Sequence, residues 1–193
     1  MPKRTLGQSG LEISAVDLGT DAFGISVDGP TVKKIMSAAS DHRITLIDTA
    51  YMYGDDKSEE YIGNSIQGRR HDFVIATKDG HPMDGGPARR NLIKEIEVSL
   101  KRLKTDHIDL IRYTYCTTQD FPLEEMMQTL NDMVRSDKVR YLGLSNMYSS
   151  QLCRCNDLAE IHGWDKIISV QPHYHMFERK VESDLSQYCQ WER

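Results

Sequence analysis

The sequence predicts a parallel α/β fold, and three observations carry that prediction. Six short apolar runs recur along the 193 residues, each followed by a helical pattern, at the length of one strand–helix unit. The runs are apolar nearly throughout rather than alternating, as expected of strands buried on both faces. The segments between them carry one apolar stripe at helical spacing. Strict alternation of this kind builds a parallel sheet, either open and doubly wound or closed as a (β/α) barrel.

Before the first unit, Arg4–Leu11 holds Gln8-Ser9-Gly10, which reads as a turn between two short strands. The six predicted strands are Ala15–Thr20, Ile44–Asp48, Phe73–Lys78, Ile108–Tyr113, Val139–Leu144 and Ile167–Gln171. In the third helical pattern Leu92, Ile96, Leu100 and Leu103 share one face. In the fourth, Leu123, Met126, Met127, Leu130, Met133 and Val134 do the same. Lys94, Glu95, Glu97, Lys101, Arg102, Glu124 and Glu125 fall to the opposite, solvated faces. A fifth helix is expected from Ser149 to Ile161, and a last one near the C-terminus. An open dinucleotide-binding sheet should show G-x-G-x-x-G after its first strand. Gly19-Thr20-Asp21-Ala22-Phe23-Gly24 lacks that spacing, and no G-x-x-x-x-G-K-[ST] occurs, so the barrel is favoured.

Composition narrows the function. With 39% hydrophobic and 27% charged residues the chain has the makings of a globular core. The net charge of −5 argues against nucleic acid or an anionic membrane as the main partner, because both need a basic footprint. No apolar h-region follows the basic N-terminus, and no stretch approaches the length needed to span a bilayer. Cys116, Cys153, Cys155 and Cys189 are too few for a disulfide scaffold, so they read as free thiols and the location as cytoplasmic. Cys153 and Cys155 stand two apart on a predicted helix and face apart, so no metal site is expected there. His173-x-His175 reads as a loop or a substrate contact. Asp84-Gly85-Gly86-Pro87 reads as a turn, and Arg89 and Arg90 after it as a solvated face.

In α/β proteins, active sites gather at the carboxyl ends of the strands. In order, those ends carry Thr20, Asp48, Lys78, Thr114, Ser145 with Asn146, and Gln171. Asp48 and Lys78 close adjacent strands. A partly buried ammonium needs a counter-charge, so the two are expected to pair; a purely structural ion pair is the blander reading. The loop after Asp48 adds Tyr51 and Tyr53. A tyrosine beside a lysine has its phenolate form favoured, so Tyr, Lys and Asp together can pass a proton to a carbonyl oxygen.

At these residues the chain resembles the aldo-keto reductase family. RTLGQSGLEISAVDLGT, IDTAYMYGDDKSEE, VIATK, SLKRLKTDHIDL, VRYLGLSN and QPHYHMFER follow one another in family order from Arg4 to the C-terminus. The resemblance implies a (β/α)8 TIM barrel, of which about six βα units are present, with a short N-terminal β-hairpin, over an oxidoreductase domain spanning 1–193. It implies NAD(P)H-dependent reduction of a small-molecule aldehyde or ketone, with NADPH/NADP as cofactor and NAD left open. Tyr53 is then the general acid, Lys78 tunes it and Asp48 partners Lys78. Gly19, Thr20, Asp48, Ser145, Asn146 and Gln171 are then the cofactor-binding residues, the last three holding the nicotinamide carboxamide.

Two departures stand out. The family's fourth catalytic residue is a His five positions after the Asp of its IDL run; here that Asp is Asp109 and the position holds Thr114, with Tyr115 beside it expected to point away. Threonine can hydrogen-bond a carbonyl but not as a charged donor, which predicts weakened or altered reduction. The family also continues for two more βα units, so the chain reads as a C-terminally truncated member with its first and last strands open to self-association. The alternative is a catalytically impaired or non-catalytic relative acting through weak cofactor binding or protein contacts.

Overall fold

The computed structural model describes residues 1–80, 86, 88–114 and 122–192. An antiparallel hairpin, β1 (Lys3–Thr5) and β2 (Glu12–Ser14), precedes a six-stranded sheet. The sheet contains β3 (Asp17–Gly19), β4 (Leu46–Asp48), β5 (Val74–Asp79), β6 (Ile108–Thr114), β7 (Val139–Ser145) and β8 (Ile167–Gln171). The strands lie in chain order, every neighbouring pair is parallel, and the sheet curls into a half-barrel. Parallel neighbours need a crossover between them. Helices α1 (Gly29–Asp41), α2 (Lys57–Ser65), α3 (Arg89–Leu103), α4 (Leu123–Arg135) and α5 (Ser149–His162) supply it, and α6 (Leu185–Trp191) follows β8.

Each predicted strand is present. β4 begins two residues later than expected, and Ser14 is the reason. Its hydroxyl accepts the N–H groups of Thr45 and Leu46, at 3.0 and 3.1 Å, in place of ladder bonds. Alternation along the strands sorts side chains onto two faces. Leu46, Ala76 and Leu110 point inward, where Val74, Tyr141, Ile168 and the hairpin's Leu6 and Ile13 cover them. The hairpin therefore closes the amino-terminal end of the half-barrel. Ile47, Ile75, Ile111, Leu142 and Leu144 point outward into the main core beneath the helices.

The helices start and pack as their sequences direct. Asp28 caps α1 by accepting from Thr31 N at 2.9 Å, with a proline in the first turn. α3 buries Leu92, Glu95, Ile96, Ser99, Leu100 and Leu103, a continuous run of three- and four-residue steps. Glu95 is thus 2% exposed and accepts the Gly80 N–H at 2.7 Å, and the Arg102 side chain is 16% exposed. This corrects the placement of both on a solvated face: spacing puts Glu95 inside the stripe, and only its residue type argued otherwise. Arg89 is also engaged, pairing with Asp132 of α4 at 2.8 Å. Gly63 lets α2 approach α3 closely, since a Cβ there would lie 2.3 Å from the Arg102 carbonyl oxygen.

Cys155 on α5 is fully buried, and that burial pushes its thiol up to about 12, which makes it inert at neutral pH. Cys153 and Cys189 are partly buried; Cys116 and Tyr115 lie outside the described residues, as does the expected turn at Asp84-Gly85-Gly86-Pro87 apart from Gly86. Among the described residues no helix is long and apolar enough to cross a membrane, and no three His, Cys, Asp or Glu side chains gather as a metal site.

Candidate active site

A parallel sheet sends all its carboxyl ends to one side, so the polar strand ends meet there. Thr114, Ser145 and Gln171 stand level across β6, β7 and β8. With Asp48, Tyr53, Lys78 and Asn146 they line a single cavity of about 480 Å³. Gly19 and Thr20 do not reach it. Gly19 is exposed beside it, and Thr20 is buried, donating its hydroxyl to the Asp48 carbonyl at 2.9 Å and accepting from Ser58. Thr20 thus supports the backbone that presents Asp48.

The expected pair forms. Lys78 Nζ lies 2.7 Å from Asp48 Oδ2, with both side chains about nine-tenths buried. The ammonium also donates to the Thr49 carbonyl at 3.2 Å and lies 3.4 Å from the Tyr53 hydroxyl, 5.0 Å from the ring centroid. The Tyr53 contact is long for a hydrogen bond but close for a charge. Tyr174 lines the same cavity, yet its hydroxyl donates to Glu182 at 2.6 Å, and that carboxylate pushes the phenol's pKa up. Of the two hydroxyls, that of Tyr53 is the one beside the Lys78 ammonium.

Arg112 is the member of this array that sequence reasoning missed. It faces inward from the middle of β6, is 5% exposed, and its Nη1 donates to Asp48 Oδ1 at 2.5 Å. Burial pulls its guanidinium below the ordinary value, and the Asp48 carboxylate opposes that pull. Asp48 is thus shared between two cations, one on each oxygen. A charged residue inside the apolar run Ile108–Tyr113 was the available signal. A second buried carboxylate, Glu59 of α2, is 1% exposed; burial raises its pKa, against the Thr77 and Ser99 hydroxyls that donate to it.

The other side of the cavity offers amides and hydroxyls. Asn146, in a left-handed conformation at φ 54°, accepts the His173 N–H on its side-chain oxygen at 2.9 Å and donates its own N–H to the Gln171 carbonyl at 3.1 Å. The side-chain oxygen of Asn146 is therefore committed, which leaves its amide nitrogen as a donor. Ser145, Asn146 and Gln171 side by side thus fit a ligand carboxamide, which needs both donors and acceptors. His173 lines the cavity as well.

The fold is thus an α/β half-barrel that gathers a phenol, an ammonium and a carboxylate at its mouth, opposite a cluster of amides. The profile of the Aldo/keto reductase family matches residues 15–192, and the chain belongs to that family. It is 33% identical to aldo-keto reductase YhdN of Bacillus subtilis, over 98% of this chain and 58% of that protein. It is 32% identical to a probable voltage-gated potassium channel subunit beta of Arabidopsis thaliana, over 96% of this chain and 59% of that one. A crystal structure of the thermostable aldo-keto reductase Tm1743 with the inhibitor epalrestat superposes with a TM-score of 0.87 at 32% identity, covering all of this chain and 70% of that one. The chain spans about three-fifths of the length of the curated relatives it matches.

Proposed function

We propose that this chain carries a carbonyl-reducing site that works with NADPH, or NADP in reverse, on small aldehydes or ketones, with Tyr53 as proton donor. One observation supports this most: the line from Arg112 through Asp48 and Lys78 to the Tyr53 hydroxyl, ending in a cavity lined by Ser145, Asn146 and Gln171. The nicotinamide, when bound, supplies the hydride. Ser145, Asn146 and Gln171 would hold its carboxamide. Tyr53 gives its proton to the carbonyl oxygen as charge develops there, and Lys78 stabilises the phenolate left behind. Asp48 keeps the ammonium aimed at Tyr53, and Arg112 fixes Asp48. Thr114 can donate a neutral hydrogen bond to the same oxygen. A cytoplasmic location fits the free thiols.

Thr114 in this cavity also favours a second reading, a catalytically impaired or non-catalytic relative that acts through weak cofactor binding or through contacts to another protein. The beta-subunit name of one relative accords with it. Fluorescence titration with NADPH, followed by its oxidation at 340 nm with 4-nitrobenzaldehyde, separates the two. Binding with turnover supports reduction, binding without turnover supports the second reading, and no binding at high micromolar cofactor overturns reduction and leaves the second reading to protein contacts alone. Thr114→His restores a charged donor, and kcat/KM is expected to rise on the order of tenfold, the worth of about 1.4 kcal/mol; an unchanged value would show that position 114 never limits the rate.

Self-association is part of the proposal. Among the described residues β3 and β8 end the sheet, each with a single hydrogen-bonded neighbour, and open edges invite pairing. Light scattering is expected to show species larger than a monomer; a clean monomer at high concentration would remove this element.

A further inference from the structure

The loop that carries Tyr53 has an unfavourable backbone. Gly54, Asp55 and Asp56 directly after it all have positive φ, at 64°, 48° and 73°. Two of the three are not glycine, so that run needs outside support to persist. Phe23 provides some on one side: a Cβ on Gly54 would sit 1.9 Å from the Phe23 carbonyl oxygen. On the other side stands Arg102, in the last turn of α3.

Arg102 grips the loop both before and after Tyr53. Its Nη1 donates to the Tyr51 carbonyl at 2.8 Å, its Nη2 pairs with Asp56 Oδ2 at 2.7 Å, and its guanidinium carbon lies over the Tyr51 ring, 4.4 Å from the centroid. Behind it, the buried Glu59 lies 3.4 Å from Nη1 and accepts from Thr77 at 2.7 Å and Ser99 at 3.1 Å. Thr77 is the residue before Lys78 on β5. The same brace thus ties the loop bearing the phenol to the strand bearing the ammonium. A planar fork can make these contacts together, whereas a lysine can make only part of them.

We infer that Arg102 is a positioning residue for Tyr53, a clamp across residues 51–56 that holds the phenol at its distance from Lys78. The inference rests on the reading of Tyr53 as proton donor for its kinetic consequence, but not for its structural one. Four amides in and just after the loop report on the clamp directly, because those of Tyr51, Tyr53 and the first two residues of α2, Lys57 and Ser58, all donate to backbone carbonyls at 3.0–3.3 Å.

Hydrogen exchange by mass spectrometry on the wild type, Arg102→Met and Arg102→Lys tests it. In Arg102→Met, exchange in peptides covering 51–58 is expected to accelerate by roughly tenfold or more while β6 to β8 stay protected. In the turnover assay kcat should fall by roughly tenfold with KM and NADPH affinity within about twofold, and Arg102→Lys should recover part of both effects. Asp56→Asn, at a side chain 57% exposed, removes one grip without disturbing the core and should loosen the loop less. That variant decides the question if Arg102→Met does not fold. Unchanged exchange over 51–58 in Arg102→Met and Asp56→Asn overturns the clamp. Faster exchange with unchanged kcat overturns its link to Tyr53. A wild type without turnover would instead sink the functional reading, and the exchange arm would still decide the clamp.

Discussion

Tyr53→Phe is expected to lower aldehyde turnover by about 10²–10⁴-fold, the usual contribution of a positioned proton donor. The change removes one oxygen and keeps the ring, which lies 5.0 Å beneath the Lys78 ammonium. The Asp48–Lys78 pair does not pass through the phenol, so its 2.7 Å contact should survive. NADPH affinity and KM should therefore stay within about twofold, while kcat and kcat/KM fall together, the pattern of an interaction made only in the transition state. Fluorescence titration and the 340 nm assay read the two sides separately. Full turnover in the variant would remove Tyr53 from the chemistry. Loss of NADPH binding along with turnover would make the hydroxyl a binding contact instead.

The sheet and its polar rim were legible because they rest on patterns that residue type alone reveals. Six apolar runs end at or just before Thr20, Asp48, Lys78, Thr114, Ser145 and Gln171, and parallel pairing then brings those ends to one side whatever the helices do. The Asp48–Lys78 contact followed from adjacency and from the cost of an unpaired buried ammonium. Arg112 escaped because two charges, Asp109 and Arg112, among four apolar residues still left Ile108–Tyr113 legible as a strand. Only the curvature of the sheet, which faces that position inward toward Asp48, gives it a partner. Glu95 and Arg102 escaped for a related reason. Charged side chains in the stripe, as Glu95, or at its border, as Arg102, look like surface until a neighbouring helix or loop supplies the groups they hold. Thr20 shows the converse: a polar strand end can serve the backbone of its neighbour rather than the cavity.

The sharing of Asp48 between two cations has a measurable consequence for stability. In Asp48→Asn, Lys78 and the 5% exposed Arg112 both lose their counter-charge while remaining inside the protein. Breaking a buried pair by removing one partner costs about 3–5 kcal/mol, because a charge is left uncompensated. That is a large share of a domain's usual stability of about 5–15 kcal/mol. Arg112→Met behaves differently. It removes one cation, fills similar volume, and leaves Asp48 with Lys78 at 2.7 Å, so its cost should stay at about 1.5–3 kcal/mol, the worth of a hydrogen bond to a charged group. Urea unfolding with comparable m-values measures both. The double variant is the sharper test. Once Asp48 is gone, Arg112 is a liability, so adding Arg112→Met to Asp48→Asn should recover stability rather than lose more, a coupling expected for residues in direct contact. Additive losses would mean that Arg112 is held by its packing and not by the carboxylate. Equal losses in the two single variants would mean that Lys78 alone cannot keep Asp48 in place, and Arg112 would then be as necessary to the array as the lysine.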